Sequence, residues 1–311
     1  MKKILITGGA GYIGSYLCTM LIKMGHNVTV IDLLKYSTTS LNHLFMYKNF
    51  RFINGDVKNL SLLKKHIENN EFIIPLAAYV GAPLCDKNKK DTKIVNHKII
   101  KYMVEKLKKN QKILYPTTNS GYGIGEKNKF CDETSPLKPV SLYGRTKVEA
   151  ENEVMKHKNS ICFRLATIFG YSYRMRTDLI VNNFVLTAVK KKKLSIFEPH
   201  FRRNFIHISD VCKAFIFGIE NFAKLKGNIF NLGLSTANIT KIELAKKIKK
   251  KRKKVKISTF KNRKDPDQRD YFVSNKKIEK FGFKATFELD AGIEEMLNVF
   301  ENTKVDFKNN Y

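Results

Sequence analysis

The chain has 311 residues, of which 43% are apolar and 28% charged. This length predicts two domains, or one large α/β body with an appended part. Lys and Arg number 58 against 28 Asp and Glu, which gives a formal net charge of +30. The apolar fraction and the 22 Phe exclude a disordered polycation. A positive charge favours anionic partners such as nucleic acids, membrane surfaces or phosphorylated metabolites, although a solvated lysine-rich surface explains it equally.

The five cysteines are odd in number and widely spaced, with no C-x-x-C pair. This usage predicts reduced thiols in the cytoplasm and supports neither a disulfide framework nor a metal site. The apolar stretch over residues 4–22 contains four glycines, and no signal-peptide cleavage pattern follows it. We therefore expect neither a signal peptide nor a membrane span.

Strand-like and helix-like runs alternate over the first 115 residues. Short apolar runs predict strands at residues 3–7, 27–31, 50–53, 72–74 and 112–115. Apolar-rich and amphipathic patterns predict helices at residues 12–24 and 94–109. This alternation predicts right-handed crossovers and an α/β fold with a doubly wound parallel sheet.

A glycine-rich turn connects the first strand to the first helix. Gly8, Gly11 and Gly14 permit unusual backbone angles, close approach of a pyrophosphate, and tight packing of helix on strand. The helix N-terminus offers unpaired N–H groups to phosphates. Asp32 ends the second strand, 18 residues after Gly14, where its carboxylate can bind ribose hydroxyls and repel a 2′-phosphate. The pattern is typical of a Rossmann-type dinucleotide site and favours NAD over NADP.

Two further segments follow predicted strands. Asp56 and Val57 follow the third strand, where such folds commonly contact adenine, although Asp56 could instead cap the next helix. Leu76, Ala77 and Ala78 follow the fourth strand, and small residues there would let the chain pass close to the cofactor.

Tyr143 and Lys147 share one face of a predicted helix, because residues four apart are neighbours on a helix surface. A free tyrosine has a pKa of about 10, too high for a base at neutral pH. A nearby ammonium and an oxidised nicotinamide both favour the phenolate, so we expect the pKa of Tyr143 to be lowered. The spacing alone is a weak signal, but here it follows Thr118, just beyond the fifth strand, by 25 residues.

These motifs, together with Arg164, Thr167 and the segment 203–211, resemble the extended short-chain dehydrogenase/reductase family, the nucleotide-sugar epimerases and dehydratases. The resemblance implies that Tyr143 removes a hydroxyl proton while a hydride passes from that sugar carbon, usually C4, to NAD. It implies that Thr118 bonds the same oxygen and that Lys147 binds the nicotinamide ribose and keeps Tyr143 ionised. The cofactor-binding residues are then Gly8, Gly11, Tyr12, Ile13, Gly14, Asp32, Asp56, Val57, Leu76, Ala77, Ala78, Tyr143 and Lys147.

The same resemblance divides the chain into two parts. Residues 1–170 and a return segment, 205–235, would form the NAD-binding domain, and residues 171–204 and 236–311 a smaller α/β substrate lobe. The substrate-binding residues would be Thr118, Asn119, Ser120, Thr167, Arg174, Arg176, Arg203 and Arg269. Arg203 is the best candidate for the nucleotide pyrophosphate and Arg269, in the segment 265–270, the second. Surface salt bridges are an equally good interpretation of Arg174 and Arg176.

Sugar 4,6-dehydratases of this family carry Asp-Glu directly after the catalytic threonine. Asn119 and Ser120 stand there in this chain and cannot do acid–base work at neutral pH, which argues against dehydration. The segments 74–85, 119–125 and 200–204 look most like a narrower group, the GDP-sugar 4-dehydrogenases of bacterial surface-polysaccharide synthesis, notably those acting on GDP-D-glycero-α-D-manno-heptose. We therefore expect a cytoplasmic homodimer that oxidises a GDP-sugar at C4, without a metal and without nucleic-acid or membrane partners. A 4-epimerase using the same residues is the alternative.

The lysine-rich run over residues 246–256 also suggests a different class, a nucleic-acid-binding protein on a redox-sensing scaffold. The favoured interpretation is a solvated helix end with Ile248 and Val255 facing inward, because no aromatic residues interleave with the lysines. Thr240 and Glu243 have capping-box spacing and predict the start of that helix.

Overall fold

Fourteen strands and twelve α-helices occupy residues 1–126, 129–260 and 269–303, the part of the chain that the computed structural model describes. The strands are β1 (Lys3–Thr7), β2 (Asn27–Asp32), β3 (Phe50–Asn54), β4 (Phe72–Pro75), β5 (Lys112–Thr118), β6 (Phe130–Cys131), β7 (Ser160–Leu165), β8 (Thr167–Phe169), β9 (Lys193–Phe197), β10 (Arg202–His207), β11 (Asn228–Leu232), β12 (Asn238–Thr240), β13 (Lys256–Phe260) and β14 (Phe272–Val273).

The helices alternate with the strands over most of the chain. They are α1 (Tyr12–Lys23), α2 (Leu60–Glu68), α3 (Ala82–Lys87), α4 (Lys89–Lys93), α5 (Ile99–Lys106), α6 (Leu142–Met155), α7 (Ile180–Lys191), α8 (Ile208–Glu220), α9 (Phe222–Leu225), α10 (Lys241–Lys251), α11 (Lys276–Lys280) and α12 (Leu289–Asn302). A π-helical turn, Ile94–Lys98, joins α4 to α5.

A seven-stranded parallel sheet in the order β11-β7-β5-β4-β1-β2-β3 forms the centre of the protein. Apolar residues of α1 and α8 are buried with one face of this sheet, and those of α2, α5 and α6 with the other. The strands are therefore covered on both faces, which explains their continuous apolar runs. The predicted doubly wound, Rossmann-type α/β fold is confirmed.

The direction of winding reverses at β1. This strand pairs with β2 on one side and with β4 on the other, so the chain leaves β1 in one direction and returns on its opposite side. Such a reversal opens a crevice at the carboxyl ends of the strands, where ligands bind in folds of this type. Gly8 follows β1, Leu76 follows β4 and Thr118 ends β5, so all three meet at this crevice.

The remaining strands form smaller sheets beside the large one. β9 and β13 pair in parallel, while β10 pairs in parallel with β8 and antiparallel with β12. The chain then returns through α8 to β11 at the edge of the large sheet. The exact limits of the smaller lobe stay a prediction.

The basic run over residues 246–256 is a solvated helix end, as favoured above. The capping box of Thr240 and Glu243 is present, and Ile248 and Val255 are both buried. Three ion pairs tie this region to α12: Lys247–Asp290 at 2.8 Å, Lys251–Glu294 at 3.0 Å and Arg252–Glu301 at 2.5 Å. Among the residues described, none of the helices has the length and apolarity needed to span a membrane.

Candidate active site

A cavity of about 540 Å³ opens at the carboxyl ends of β1, β4, β5 and β7 and continues towards the smaller sheets. Most of the residues predicted for cofactor or substrate line it. These are Gly8, Gly11, Tyr12, Ile13, Gly14, Leu76, Ala78, Thr118, Ser120, Tyr143, Lys147, Thr167, Arg174, Arg176, Arg203 and Arg269. Five predicted residues do not line the cavity: Asp32, Asp56, Val57, Ala77 and Asn119.

The glycine-rich turn is packed so closely that side chains would collide. Gly8 has a φ of +74°, and a Cβ atom there would lie 2.5 Å from the backbone nitrogen of Ala77. A Cβ atom on Gly14 would lie 2.5 Å from the carbonyl oxygen of Gly8. The turn therefore presents bare backbone to the cavity at the N-terminus of α1, where unpaired N–H groups can bind phosphate.

Asp32 lies at the end of β2, next to this turn. Its carboxylate accepts hydrogen bonds from the backbone N–H groups of Ala10 at 2.9 Å and of Leu34 at 2.8 Å. Burial raises the pKa of Asp32, and these two bonds oppose the shift. A carboxylate has about four lone-pair positions, so capacity remains for a ribose hydroxyl.

The third strand leads away from the cavity wall. The Asp56 carboxylate accepts from the backbone N–H of Lys58 at 2.9 Å, and Val57 is buried in the core. The cap of α2 is Asn59, whose side chain accepts from the N–H of Leu62. The alternative interpretation of Asp56 as the helix cap is therefore wrong.

Thr118, Tyr143 and Lys147 meet on one wall of the cavity. Thr118 ends β5, and the other two lie one turn apart on α6, whose N-terminus is capped by Ser141. Tyr143 lies beside Thr118, whose hydroxyl donates to that of Ser120 at 2.9 Å. The amide of Asn119 is buried away from the cavity, and neither of its polar atoms has a hydrogen-bond partner among the described residues.

The expected effect of Lys147 on Tyr143 is not seen. Burial raises the pKa of Tyr143 to about 12, while the neighbouring Thr118 hydroxyl and the charges of Arg269 and Arg176 oppose this shift. Burial likewise lowers the pKa of Lys147, which is 4% exposed, to about 7. Desolvation thus disfavours both charged forms, and the cations that favour the phenolate in the protein are the two arginines.

Lys147 rests on an aromatic ring. Its Nζ atom lies 4.0 Å from the centroid of the Tyr115 ring, within the range of a cation–π interaction. Tyr115 is itself fully buried on β5. The strand that carries Thr118 therefore also supports the ammonium of Lys147.

Arg174, Arg176 and Arg203 are buried and Arg269 is half-buried in the cavity. The interpretation of Arg174 and Arg176 as surface salt bridges is therefore wrong. Arg176 forms an ion pair with Asp178, and both residues line the cavity. The guanidinium of Arg203 donates to the backbone carbonyls of Arg202 and Arg269, and that of Arg269 donates to the Ser120 hydroxyl. Residues 265–268, which precede Arg269 in the predicted segment, lie outside the described residues.

Lys241 is a cavity residue that the sequence analysis missed. It is the first residue of α10, is buried, and has its Nζ atom 5.3 Å from the centroid of the Phe201 ring. In the sequence nothing separates it from the solvated lysines that follow. Six basic side chains of the described residues line the cavity, against one carboxylate, that of Asp178: Lys147, Arg174, Arg176, Arg203, Lys241 and Arg269. A cavity of this charge suits a ligand with several phosphates.

Comparison with known proteins identifies this architecture. Residues 4–233 match the model of the NAD dependent epimerase/dehydratase family. The chain belongs to that family. It is therefore an NAD-dependent enzyme of the extended short-chain dehydrogenase/reductase type.

Curated relatives of this epimerase/dehydratase include enzymes of two kinds. A dTDP-D-glucose 4,6-dehydratase of Dictyostelium discoideum is 30% identical over 80% of the chain and 62% of its own length. The human dTDP-D-glucose 4,6-dehydratase is 24% identical over 99% of the chain and 92% of its own length. An uncharacterized UDP-glucose epimerase of Bacillus subtilis, YtcB, is 30% identical over 74% of the chain and 76% of its own length. The chain thus spans less than two thirds of the Dictyostelium relative.

Solved structures share the fold. Pal from Bacillus thuringiensis superposes with a TM-score of 0.86 at 23% identity, covering 96% of the chain and 99% of Pal. The UDP-glucuronic acid 4-epimerase of Bacillus cereus, in complex with UDP-glucuronic acid and NAD, has a TM-score of 0.84 at 24% identity, with coverage of 96% and 99%.

The residues of this epimerase/dehydratase fit NAD. The bare glycine turn would take the pyrophosphate, Asp32 has lone pairs for a ribose, and Lys147 stands where a nicotinamide ribose could be bound beside Tyr143. In the described ranges, no three His, Cys, Asp or Glu side chains are grouped as metal ligands.

Proposed function

We propose that this enzyme oxidises the C4 hydroxyl of a nucleotide sugar to a ketone. The observation that carries the proposal is the placement of Tyr143 beside Thr118 inside a cavity that offers a phosphate-binding turn in one part and buried cations in another. The two hydroxyls are placed to hold one substrate oxygen between them. Such an arrangement suits removal of a proton from a sugar hydroxyl.

The cations away from the glycine turn support a nucleotide-sugar substrate. Arg203, Lys241 and Arg269 come from β10, α10 and the chain before β14, and all three line the cavity. A nucleoside diphosphate carries about two negative charges, and arginine binds phosphate oxygens through two parallel hydrogen bonds. These residues would hold the diphosphate of the substrate while the sugar reaches Tyr143.

Tyr143 acts as the base in this proposal. Its phenolate accepts the proton of the C4 hydroxyl, and the Thr118 hydroxyl orients the same oxygen. NAD, when bound, would supply the acceptor for the hydride of C4 and the positive charge of an oxidised nicotinamide ring. Because burial holds the pKa of Tyr143 at about 12, the phenolate depends on positive charge nearby, which Arg176 and Arg269 already contribute.

Dehydration is not part of this proposal, although two of the relatives named above are called 4,6-dehydratases. That reaction needs acid–base groups beside C5 and C6, and Asn119 and Ser120 have none that titrate near neutrality. Ser120 instead bonds to Thr118 and Arg269. A 4-epimerase is the second candidate, because it needs the same Thr118 and Tyr143, and YtcB carries the name of an epimerase.

The sequence resemblance supports a specific nucleotide sugar and a specific assembly. The segments 74–85, 119–125 and 200–204 favour a GDP-sugar, a GDP-heptose or a close relative, whose 4-keto product enters surface-polysaccharide synthesis. The same resemblance favours a homodimer in the cytoplasm. The bases and sugars named for the relatives, by contrast, are dTDP- and UDP-linked.

Mass spectrometry of the nucleotides that co-purify with the enzyme, followed by incubation with GDP-, UDP- and dTDP-sugars, tests the proposal. Reduction of the products with borodeuteride would place deuterium at C4 of a keto sugar, whereas an epimerase would release unlabelled C4 epimer. Accumulated label supports the dehydrogenase, unlabelled epimer supports the second candidate, and loss of water from the sugar contradicts both.

The variant Tyr143→Phe links turnover to the proposed base. We expect it to bind NAD as wild type does and to lose at least a thousandfold in turnover, since the phenol oxygen is the proton acceptor. Tyr102→Phe is the matched control, because Tyr102 lies on α5 outside the cavity and its hydroxyl donates to the Leu60 carbonyl of α2. Turnover at the wild-type rate in Tyr143→Phe would refute the mechanism.

A further inference from the structure

Arg174 lies apart from the other arginines of the cavity, against the first turn of α1. Its backbone N–H donates to the Ser15 hydroxyl at 3.3 Å, and its guanidinium carbon lies 4.7 Å from the centroid of the Tyr36 ring. The residue lines the cavity, is 4% exposed, and its Nη2 atom has no hydrogen-bond partner among the described residues. The charges of Asp178 and Asp32 favour the protonated guanidinium, but no carboxylate of the described residues forms an ion pair with it. Leaving a buried nitrogen of a cation without a hydrogen bond is costly, which indicates that an anionic ligand completes this corner of the cavity.

The chain on both sides of Arg174 is fastened to the glycine-rich turn and α1. The Tyr12 hydroxyl donates to the carbonyl of Gly170 at 2.7 Å, and the Ser172 hydroxyl donates to the carbonyl of Tyr12 at 2.7 Å. The hydroxyls of Ser15 and Ser172 lie 3.1 Å apart. These contacts hold Arg174 next to the helix N-terminus without using its guanidinium.

We infer that Arg174 binds the pyrophosphate of NAD from the side opposite the glycine-rich turn. In folds of this type the pyrophosphate lies at the N-terminus of the helix that follows the first strand, which is where Ser15 anchors Arg174. Tyr36, on which the guanidinium stacks, follows Asp32 by four residues and also lines the cavity. The guanidinium therefore lies between the glycine-rich turn and Tyr36, a short distance along the chain from Asp32.

Two other roles for Arg174 are less well supported. A 2′-phosphate is disfavoured because the Asp32 carboxylate is close enough to interact with this guanidinium and would repel such a group. A sugar contact is disfavoured because the neighbouring Arg176, paired with Asp178, is the member of the pair whose charge acts on Tyr143. Burial and Arg176 lower the pKa of Arg174 to about 10, so it stays protonated at neutral pH.

The test compares two ligands that contain the pyrophosphate with one that lacks it. Binding of ADP-ribose, NAD and adenosine to the cofactor-free enzyme is measured by calorimetry for wild type, Arg174→Met and Arg145→Met. Arg145 is exposed on α6 and outside the cavity, so its substitution changes the net charge equally. We expect Arg174→Met to bind ADP-ribose and NAD about 10- to 100-fold more weakly, the usual effect of losing a hydrogen bond to a charged group. Adenosine binding should change less than twofold.

A second readout separates this role from a structural one. The substitution removes a buried charge that forms no ion pair among the described residues, so the melting temperature of cofactor-free Arg174→Met should equal or exceed that of wild type. Unchanged affinity for ADP-ribose overturns the inference, as do equal losses for adenosine and ADP-ribose. The inference rests on NAD as cofactor and the assay needs no sugar. An enzyme that binds ADP-ribose but oxidises no nucleotide sugar would refute the proposed function alone.

Discussion

A buried ion pair holds α6, the helix that carries Tyr143 and Lys147, to the sheet. Breaking this pair tests how much it contributes to the stability of the protein and to the position of α6. Arg164 of β7 donates from Nε to both carboxylate oxygens of Glu151 at 3.1 Å, and from Nη2 to one of them at 2.6 Å. Its Nη1 atom also donates to the Tyr122 hydroxyl at 3.0 Å. Glu151 is 1% exposed and lies one turn beyond Lys147.

The substitution Arg164→Met leaves the Glu151 carboxylate buried without its partner. Removing one member of a buried pair costs about 3–5 kcal/mol, a large part of the roughly 5–15 kcal/mol by which a protein is stable. The double substitution Arg164→Met with Glu151→Leu removes both charges and fills the space with apolar atoms. It should recover at least half of the loss, because an apolar pair of similar volume is often as stable as the ion pair.

Urea unfolding of the cofactor-free enzyme at pH 8 measures both effects. At pH 5 the loss in Arg164→Met should be smaller, since protonation neutralises the carboxylate that has lost its partner. The single variant should also bind NAD more weakly, because α6 positions Lys147. A loss below about 1 kcal/mol in the single variant, or a double variant no more stable than the single one, would refute the reasoning.

Three further predictions concern the pKa of Lys147, the glycine-rich turn and the basic helix. Because burial lowers the pKa of Lys147 from 10.5 to about 7, the unfolded chain binds more protons than the folded one between these values. Stability of the cofactor-free enzyme should therefore rise from pH 7 towards pH 10, and Lys147→Met should flatten this rise in thermal melts. Gly14→Ala, whose Cβ would lie 2.5 Å from the Gly8 carbonyl, should weaken NAD binding at least tenfold in a fluorescence titration, and unaltered binding would contradict the packing argument. Replacing Lys247 and Lys251 by Gln should lower stability by no more than about 1 kcal/mol, with the difference vanishing at 1 M salt and turnover unchanged.

The strands could be predicted where apolar residues form them and were missed where polar residues end them. Each predicted strand begins at the observed residue, but β5 continues three residues further, through Thr118. Pro116 and Thr117 do not look like the interior of a sheet, yet both pair with β7. The polar residues at the ends of strands are those that reach the cavity. Apolar patterns therefore predict the buried parts of the strands but not the strand ends that form the site.

The helix predicted over residues 94–109 shows a second kind of difference. The segment opens with the π-helical turn and continues as α5, which ends at Lys106 because Leu107 has an extended backbone. An amphipathic pattern does not distinguish a π turn from an α-helix, since one extra residue in a turn barely changes which side chains face inward.

The chemistry of the site could be located from spacing, but its electrostatics could not. Tyr143 and Lys147 share a helix face whatever surrounds them. The pKa of Tyr143 depends on Arg176 and Arg269, which approach from the smaller lobe. Likewise Arg174 and Arg176 are two residues apart in sequence, yet one lies against Tyr36 and the other against Asp178. Such separation follows from the path of the chain around α1, which local patterns do not encode.

The basic side chains around the cavity have a consequence for how fast the protein is degraded in a cell. Six cationic side chains facing one carboxylate repel one another when nothing lies between them, so the empty enzyme is its least stable form. A dinucleotide that neutralises part of this charge raises stability in proportion to the logarithm of its concentration. Newly made chains that acquire it would resist proteases, while those left empty would be degraded first. The amount of enzyme would then follow the supply of dinucleotide with no change in its synthesis.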